Sequence, residues 1–155
     1  MTMPRVFQIN VSDGGVPKRP VRRVRITFDG VAGDRQQHTE FHGGPDRAVC
    51  LYSLERILAL QTEGHPIFPG ATGENLTISG LQWEALAPGA RLQVGPDLVL
   101  EIVSYTTPCR LIAESFLEGH SQRILQDRHP GWSRLYARVL EPGDVSIGDV
   151  VNLNR

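Results

Sequence analysis

The stretch His38-Thr39-Glu40-Phe41-His42-Gly43-Gly44-Pro45-Asp46-Arg47-Ala48-Val49-Cys50-Leu51-Tyr52 sets a polar, glycine-rich turn directly against the start of an apolar strand. Gly43 and Gly44 have no Cβ, so the backbone there can take positive φ and bring its N–H groups close to a ligand, and Pro45 fixes the exit. Adjacent amides aimed one way form an anion-binding nest. Asp46 can accept from the N–H donors of a ligand or brace the turn. The Arg47 guanidinium is a planar fork suited to a phosphate, and His42 stands before the glycines as a neutral or charged donor. The same residues also suit a tight hairpin turn with a surface ion pair.

Outward from this turn the chain reads as short strands punctuated by turns. Residues 47–52 form a strand with Cys50 inside it as a small hydrophobe. Before the turn, Phe7, Ile9 and Val11 alternate with polar neighbours over residues 5–11, and Val24, Ile26 and Phe28 do the same, predicting two half-buried strands. Lys18, Arg19, Arg22, Arg23 and Arg25 cluster around them, either as a solvated face or as a rim for phosphate. After it, Ser53 is a good N-cap for a helix carrying Leu54, Ile57, Leu58 and Gln61, which Gly64 and Pro66 end. Residues 69–81 are a second glycine-punctuated stretch. In it Gly73 frees the backbone, while Glu74 and Asn75 set a carboxylate and an amide at the head of a short strand, 75–78, as ligand contacts or as local turn caps. Residues 91–94 and 98–105 read as a hairpin around Gly95-Pro96-Asp97. Residues 135–140 form a strand and 145–153 return after the turn at 141–144. The fold class this predicts is β-rich, mainly β with a few short α-helices, as a closed or nearly closed β-barrel.

Cys109 ends the hairpin's second strand. Pro108 restricts the backbone before it, Arg110 adds positive charge after it, and residues 111–118 have helical composition, with 121–126 continuing that layer and Arg123 and Arg128 exposed. A thiol before a helix N-terminus and beside a cation is favoured as thiolate, the form that acts as nucleophile and soft metal ligand. An inert loop cysteine is the other reading.

The 155 residues fit one domain, 1–155, with room for a substantial core. Sixteen basic and seventeen acidic residues leave a net charge of −1, which argues against a nucleic-acid surface or a polybasic membrane patch. No apolar run reaches the ~18 residues needed to span a bilayer, and no basic-then-apolar leader opens the chain, so a soluble cytoplasmic protein is expected. Two cysteines allow at most one disulfide. His38 and His42 with Glu40 between them do not form the zincin pattern, and Gly43-Gly44-Pro45 opposes the helix a zinc pair would need. No phosphate-binding P-loop and no nucleophile elbow occur. His65, His120 and His129 are scattered and read as solvated.

Taken together, the residues resemble the MOSC domain, the module named after the C-terminal part of molybdenum cofactor sulfurases. The matching pieces are Gly33-Asp34-Arg35, His42 to Val49, Gly70 with Gly73 to Thr77 and Gly80-Leu81, Pro108-Cys109, Pro142-Gly143-Asp144 and Gly148-Asp149. They run in family order over nearly the whole chain, and the His-Gly-Gly-Pro-Asp-Arg form is similar to stand-alone bacterial members. The resemblance implies a barrel-like β domain that binds molybdenum cofactor (molybdopterin), with Cys109 as molybdenum ligand or as carrier of a persulfide sulfur. It further implies that His42, Gly43, Gly44, Asp46, Arg47, Gly73, Glu74 and Asn75 line the cofactor site, with Arg35 and the basic residues near Lys18 toward the pterin phosphate. Two departures stand out. The chain has no room for the pyridoxal-phosphate domain of eukaryotic sulfurases or for an appended electron-transfer domain, so pyridoxal phosphate is not expected. A separate electron donor or cysteine desulfurase is expected as partner to a small-molecule substrate. Pro88-Gly89-Ala90 also replaces the Ile-Gly-Asp of many relatives. Three functions follow: reduction of N-hydroxylated compounds, sulfur carriage, or non-catalytic binding. The residues carry no argument for a particular oligomeric state.

Overall fold

The computed structural model describes residues 3–34 and 44–154. In chain order the strands are β1 (Arg5–Val11), β2 (Arg19–Val21), β3 (Arg23–Thr27), β4 (Gly30–Val31), β5 (Val49–Ser53), β6 (Leu76–Ser79), β7 (Arg91–Val94), β8 (Leu98–Tyr105), β9 (Leu135–Glu141), β10 (Gly143–Ser146) and β11 (Val151–Asn154), with α1 (Leu54–Thr62) between β5 and β6. Eight strands form one sheet in the order β11-β7-β8-β9-β5-β6-β1-β2, and β10-β3-β4 form a second.

Sequence explains the connections. Gly95-Pro96-Asp97 joins β7 to β8 as an antiparallel hairpin with Val94 opposite Leu98, as the sequence predicts. The β5–β6 pair is parallel, and parallel neighbours need a crossover, which α1 supplies. Ser53 starts α1 by accepting a hydrogen bond from Arg56 N at 3.1 Å, and Ile57 and Leu60 turn inward. Leu51, Leu76, Ile78, Leu92, Leu98 and Leu100 then form a core closed to solvent. No helix among the described residues is long and apolar enough to cross a membrane.

The architecture is a β-rich mixed sheet. Its β11 end is tied to β1 by a short seam rather than by a full ladder: Val6 N donates to Asp149 O at 2.9 Å, Gly148 N to Val6 O at 2.8 Å and Val151 N to Pro4 O at 2.9 Å. Arg5 and Val150 pair there as a single bridge.

Several local expectations are corrected. A bulge between Val6 and Gln8 shifts the alternation of β1, so Val6 and Ile9 face the core while Phe7 is 46% exposed. Phe28 lies in the turn before β4, exposed, and not on a buried strand face. Residues 45–47 form a 3-10 turn, because Pro45 presets helical φ, and the strand starts two residues later at Val49. Residues 145–153 are two strands, β10 and β11, in different sheets. The helix expected over 111–118 is replaced by 3-10 turns at Arg110–Ser115, Leu117–Gly119 and Ser121–Ile124. Phe116 is extended (φ −129°, ψ 147°) and buried, as are Ile112 and Ile124, so the core demands apolar contacts that one regular helix of this sequence would not aim inward.

Replacing Ser53 by Ala removes the α1 cap, and urea denaturation is expected to show a loss of about 1 kcal/mol with an unchanged m-value.

Candidate functional site

β8 delivers the chain to Thr106, Thr107, Pro108 and then Cys109, whose backbone is extended (φ −125°, ψ 171°) before the 3-10 turn Arg110–Ser115. Cys109 is partly exposed and makes no side-chain capping bond. The helix N-terminus expected behind it is thus one irregular turn. Cys50 lies opposite Tyr136 in the β5–β9 ladder and is buried. Burial pushes the Cys50 thiol up to about 11, against the opposing pull of the Arg134 guanidinium. The Tyr136 hydroxyl is likewise pushed upward, first by burial and then by Cys50, with Arg134 and Arg47 opposing and Cys109 adding to the rise. Both cysteines and both arginines thus act electrostatically on one phenol. The Arg47 guanidinium carbon is 5.5 Å from the centroid of that ring.

Behind Cys50 and Tyr136 runs a buried polar network. Lys18 Nζ and Asp34 Oδ2 meet at 2.5 Å with both side chains 6% exposed. Asp34 also accepts from Asn75 Nδ2 at 2.8 Å and from Ser12 N at 2.9 Å, so its carboxylate is fully engaged. Asn75 Oδ1 in turn accepts from Cys50 N at 2.9 Å, which ties the start of β5 to the loop before β6. Glu74 is wholly buried; its carboxylate accepts from Gly70 N at 3.0 Å, Thr72 Oγ1 at 2.9 Å and Thr77 Oγ1 at 3.2 Å. Burial raises its pKa, and the Gly70 amide is the largest opposing influence. Gly70 has φ +90°, and a Cβ there would lie 2.7 Å from Lys18 O, so only glycine lets this loop approach.

Arg134, which the sequence reading passed over, connects the two loops. It is 5% exposed, and its Nη1 donates to Thr72 O at 2.7 Å while Nη2 reaches Thr107 O at 3.5 Å. Its Nε is buried without a partner. Thr106 Oγ1 has no partner in bonding geometry either, although its hydroxyl lies toward the Cys50 thiol and favours the thiolate there.

The sequence-predicted residues separate into three groups. Gly44, Asp46 and Arg47 stand at the 3-10 turn Pro45–Arg47, with Gly44 at φ +94° facing open space and Asp46 Oδ1 3.6 Å from Arg138 Nε. Glu74 and Asn75 turn into the buried network, and Gly73 (φ +84°) packs against Val16. Arg35, His42 and Gly43 lie outside the described residues, in the segment that begins after Asp34 and ends before Gly44. Lys18, expected with the solvated basic cluster, is instead spent on Asp34. Among the described residues no group of three or more His, Cys, Asp and Glu side chains is placed to hold a metal ion.

Residues 38–152 match the MOSC domain. The chain belongs to the MOSC domain family. It is 33% identical over 136 residues to the uncharacterized protein YflK of Bacillus subtilis (strain 168), covering 86% of this chain and 60% of YflK. It is 30% identical over 129 residues to a protein named Reductase from Gibberella moniliformis (strain M3125 / FGSC 7600), covering 80% of this chain and 22% of that one. The MOSC domain therefore spans less than two thirds of the length of either relative. Its fold matches the crystal structure of YiiM from Geobacillus stearothermophilus with TM-score 0.73 at 25% identity, covering 98% of this chain and 75% of that one.

Two measurements check the site. A maleimide applied to the native MOSC domain at pH 8 is expected to modify Cys109 and spare Cys50, whose thiolate forms only near pH 11; equal labelling of both thiols before unfolding contradicts this geometry. Glu74→Gln leaves either Gly70 N–H or Thr72 Oγ–H without an acceptor, since an amide accepts at one atom only, and a loss of about 1–3 kcal/mol is expected in chemical denaturation.

Proposed function

We propose that this MOSC domain binds molybdenum cofactor and acts as an oxidoreductase-type module, reducing N-hydroxylated small molecules with electrons from a separate donor. The observation that carries the reading is the partly exposed Cys109 thiol, which acts electrostatically on Tyr136, the residue whose ring also lies under Arg47. The residues fit the cofactor by the chemistry of their donors. Cys109 offers one soft ligand, Arg47 offers a fork for phosphate, and the Gly44 backbone stands open at positive φ. The unpartnered Arg134 Nε adds a buried donor beneath them. When bound, the cofactor supplies the redox centre and an open position for substrate.

The chain's own residues then have distinct tasks. Cys109 holds the metal. Gly44, Asp46 and Arg47, with Arg35, His42 and Gly43, bind the pterin and its phosphate. Glu74 and Asn75, closed to solvent, act from behind the site by locking the loop that Gly73 bends, between Gly70 and β6, against β5. Tyr136 keeps its proton, because burial disfavours the phenolate, and so can donate a hydrogen bond at the thiol. We read the sheet with its β1–β11 seam as a nearly closed barrel of the family type, in a cytoplasmic protein. The relative named Reductase supports a redox role.

A second reading is favoured by the contrast between the two thiols. Cys109 is the accessible one, as a persulfide carrier served by a cysteine desulfurase requires. The deciding experiment measures molybdenum and sulfane sulfur in protein purified anaerobically from a molybdenum-replete host, beside Cys109→Ser. Molybdenum held by the parent and lost from the variant is the expected result. Sulfane sulfur on Cys109 without molybdenum establishes the carrier, and neither signal overturns both in favour of a non-catalytic binding module.

A further inference from the structure

A cavity of about 560 Å³ is lined by His65, His120, His129, Ser121, Arg123 and Arg128 among others, and neither Cys109 nor any residue of the Pro45–Arg47 turn is among them. Its size falls in the range of small-molecule sites, roughly 300–1,000 Å³. Its lining is unusual in holding three imidazoles and two guanidiniums.

Part of this cluster is already committed. Arg123 donates to both oxygens of Glu63, from Nε at 2.9 Å and Nη2 at 2.8 Å, and lies 4.1 Å from the centre of the Trp132 ring. It is not exposed as the sequence suggested; its side chain is 20% exposed and rigidly held. Its third nitrogen, Nη1, is buried and has no partner. His65 is not solvated either. Its side chain is 9% exposed, Nδ1 accepts from Leu117 N at 3.0 Å, and Nε2 lies 3.5 Å from Glu63 Oε1. Glu63 is therefore the counter-charge of Arg123 and lies within reach of the His65 Nε2–H. Glu118 faces His120 at 3.9 Å, and Asp127 stands next to Arg128 in the chain without lining the cavity.

What remains uncommitted is one guanidinium and one imidazole. Arg128 and His129 are exposed and have no side-chain hydrogen bond or ion pair among the described residues. With Ser121 they line one cavity from the two ends of the stretch 121–129. A planar carboxylate is served by one fork, whereas a tetrahedral phosphoryl group accepts from several directions at once.

We propose that this cavity binds a phosphoryl group, as free phosphate or as the head of a small phosphomonoester, through Arg128, His129 and Ser121. Titration calorimetry with inorganic phosphate, phenyl phosphate and acetate tests it, using the full chain, Arg128→Gln/His129→Gln and Cys109→Ser. Saturable phosphate or phenyl phosphate binding is expected, weakened about tenfold or more in the double variant by loss of charge-assisted bonds, and unchanged in Cys109→Ser. Tighter binding of phenyl phosphate identifies an organic monoester, and equal or weaker binding identifies phosphate itself. Absence of saturable binding, equal affinity in the double variant, or acetate binding as well as phosphate overturns the proposal. Both replaced side chains are exposed, so the variants are expected to fold like the parent, which a denaturation curve verifies.

Discussion

Four charged side chains, those of Lys18, Asp34, Glu74 and Arg134, are removed from water on one side of the sheet. A buried ion is costly unless every lone pair and proton is met, so the positions of these four dictate where the surrounding backbone can go. Asp34 is met by Lys18, Asn75 and the Ser12 amide; Glu74 by Gly70, Thr72 and Thr77; Arg134 by the carbonyls of Thr72 and Thr107. Each partner sits in a loop or at a strand end. The network thereby turns flexible segments into fixed walls, and the Cys109 loop is one of them.

This arrangement separates support from display. Glu74 and Asn75 are closed to solvent and hold the loop before β6 against β5. Arg47 and Asp46 ride on a 3-10 turn, Arg47 beside the Tyr136 ring and Asp46 beside Arg138. Rigid supports beneath adaptable contacts suit a site that must hold a large cofactor in one pose while a small substrate enters and leaves. The phosphoryl cavity follows the same pattern, since Arg123, held by Glu63 and set over Trp132, is its fixed member and Arg128 and His129 are its exposed ones.

Legibility in the sequence followed range. The β7–β8 hairpin, the Ser53 cap and the crossover helix are short-range signals, and their turn residues and periodicity place them correctly. The phase of β1 was misread because a bulge obeys its partner strand, which lies some seventy residues away and leaves no mark on the local alternation. The segment after Cys109 has helical composition, yet the burial of Ile112, Phe116 and Ile124 overrides propensity and breaks it into turns. Cys109 and the glycine-rich turns were recognisable from their residue types and order. Arg134 was not, since the carbonyls it joins are 62 and 27 residues away and nothing near it in the chain distinguishes it from a surface arginine.

The seam between β1 and β11 also governs the order in which the molecule can be finished. Pro4 and Val6 make their backbone bonds with Gly148, Asp149 and Val151, so β1 leaves the ribosome long before its partners exist. During that interval β1 has β2 and, later, β6 to pair with, but the polar groups of its first residues stay open to water and to other chains. Arg5 puts an exposed charge at that edge, which opposes pairing with other chains, and residues 148–151 complete the seam.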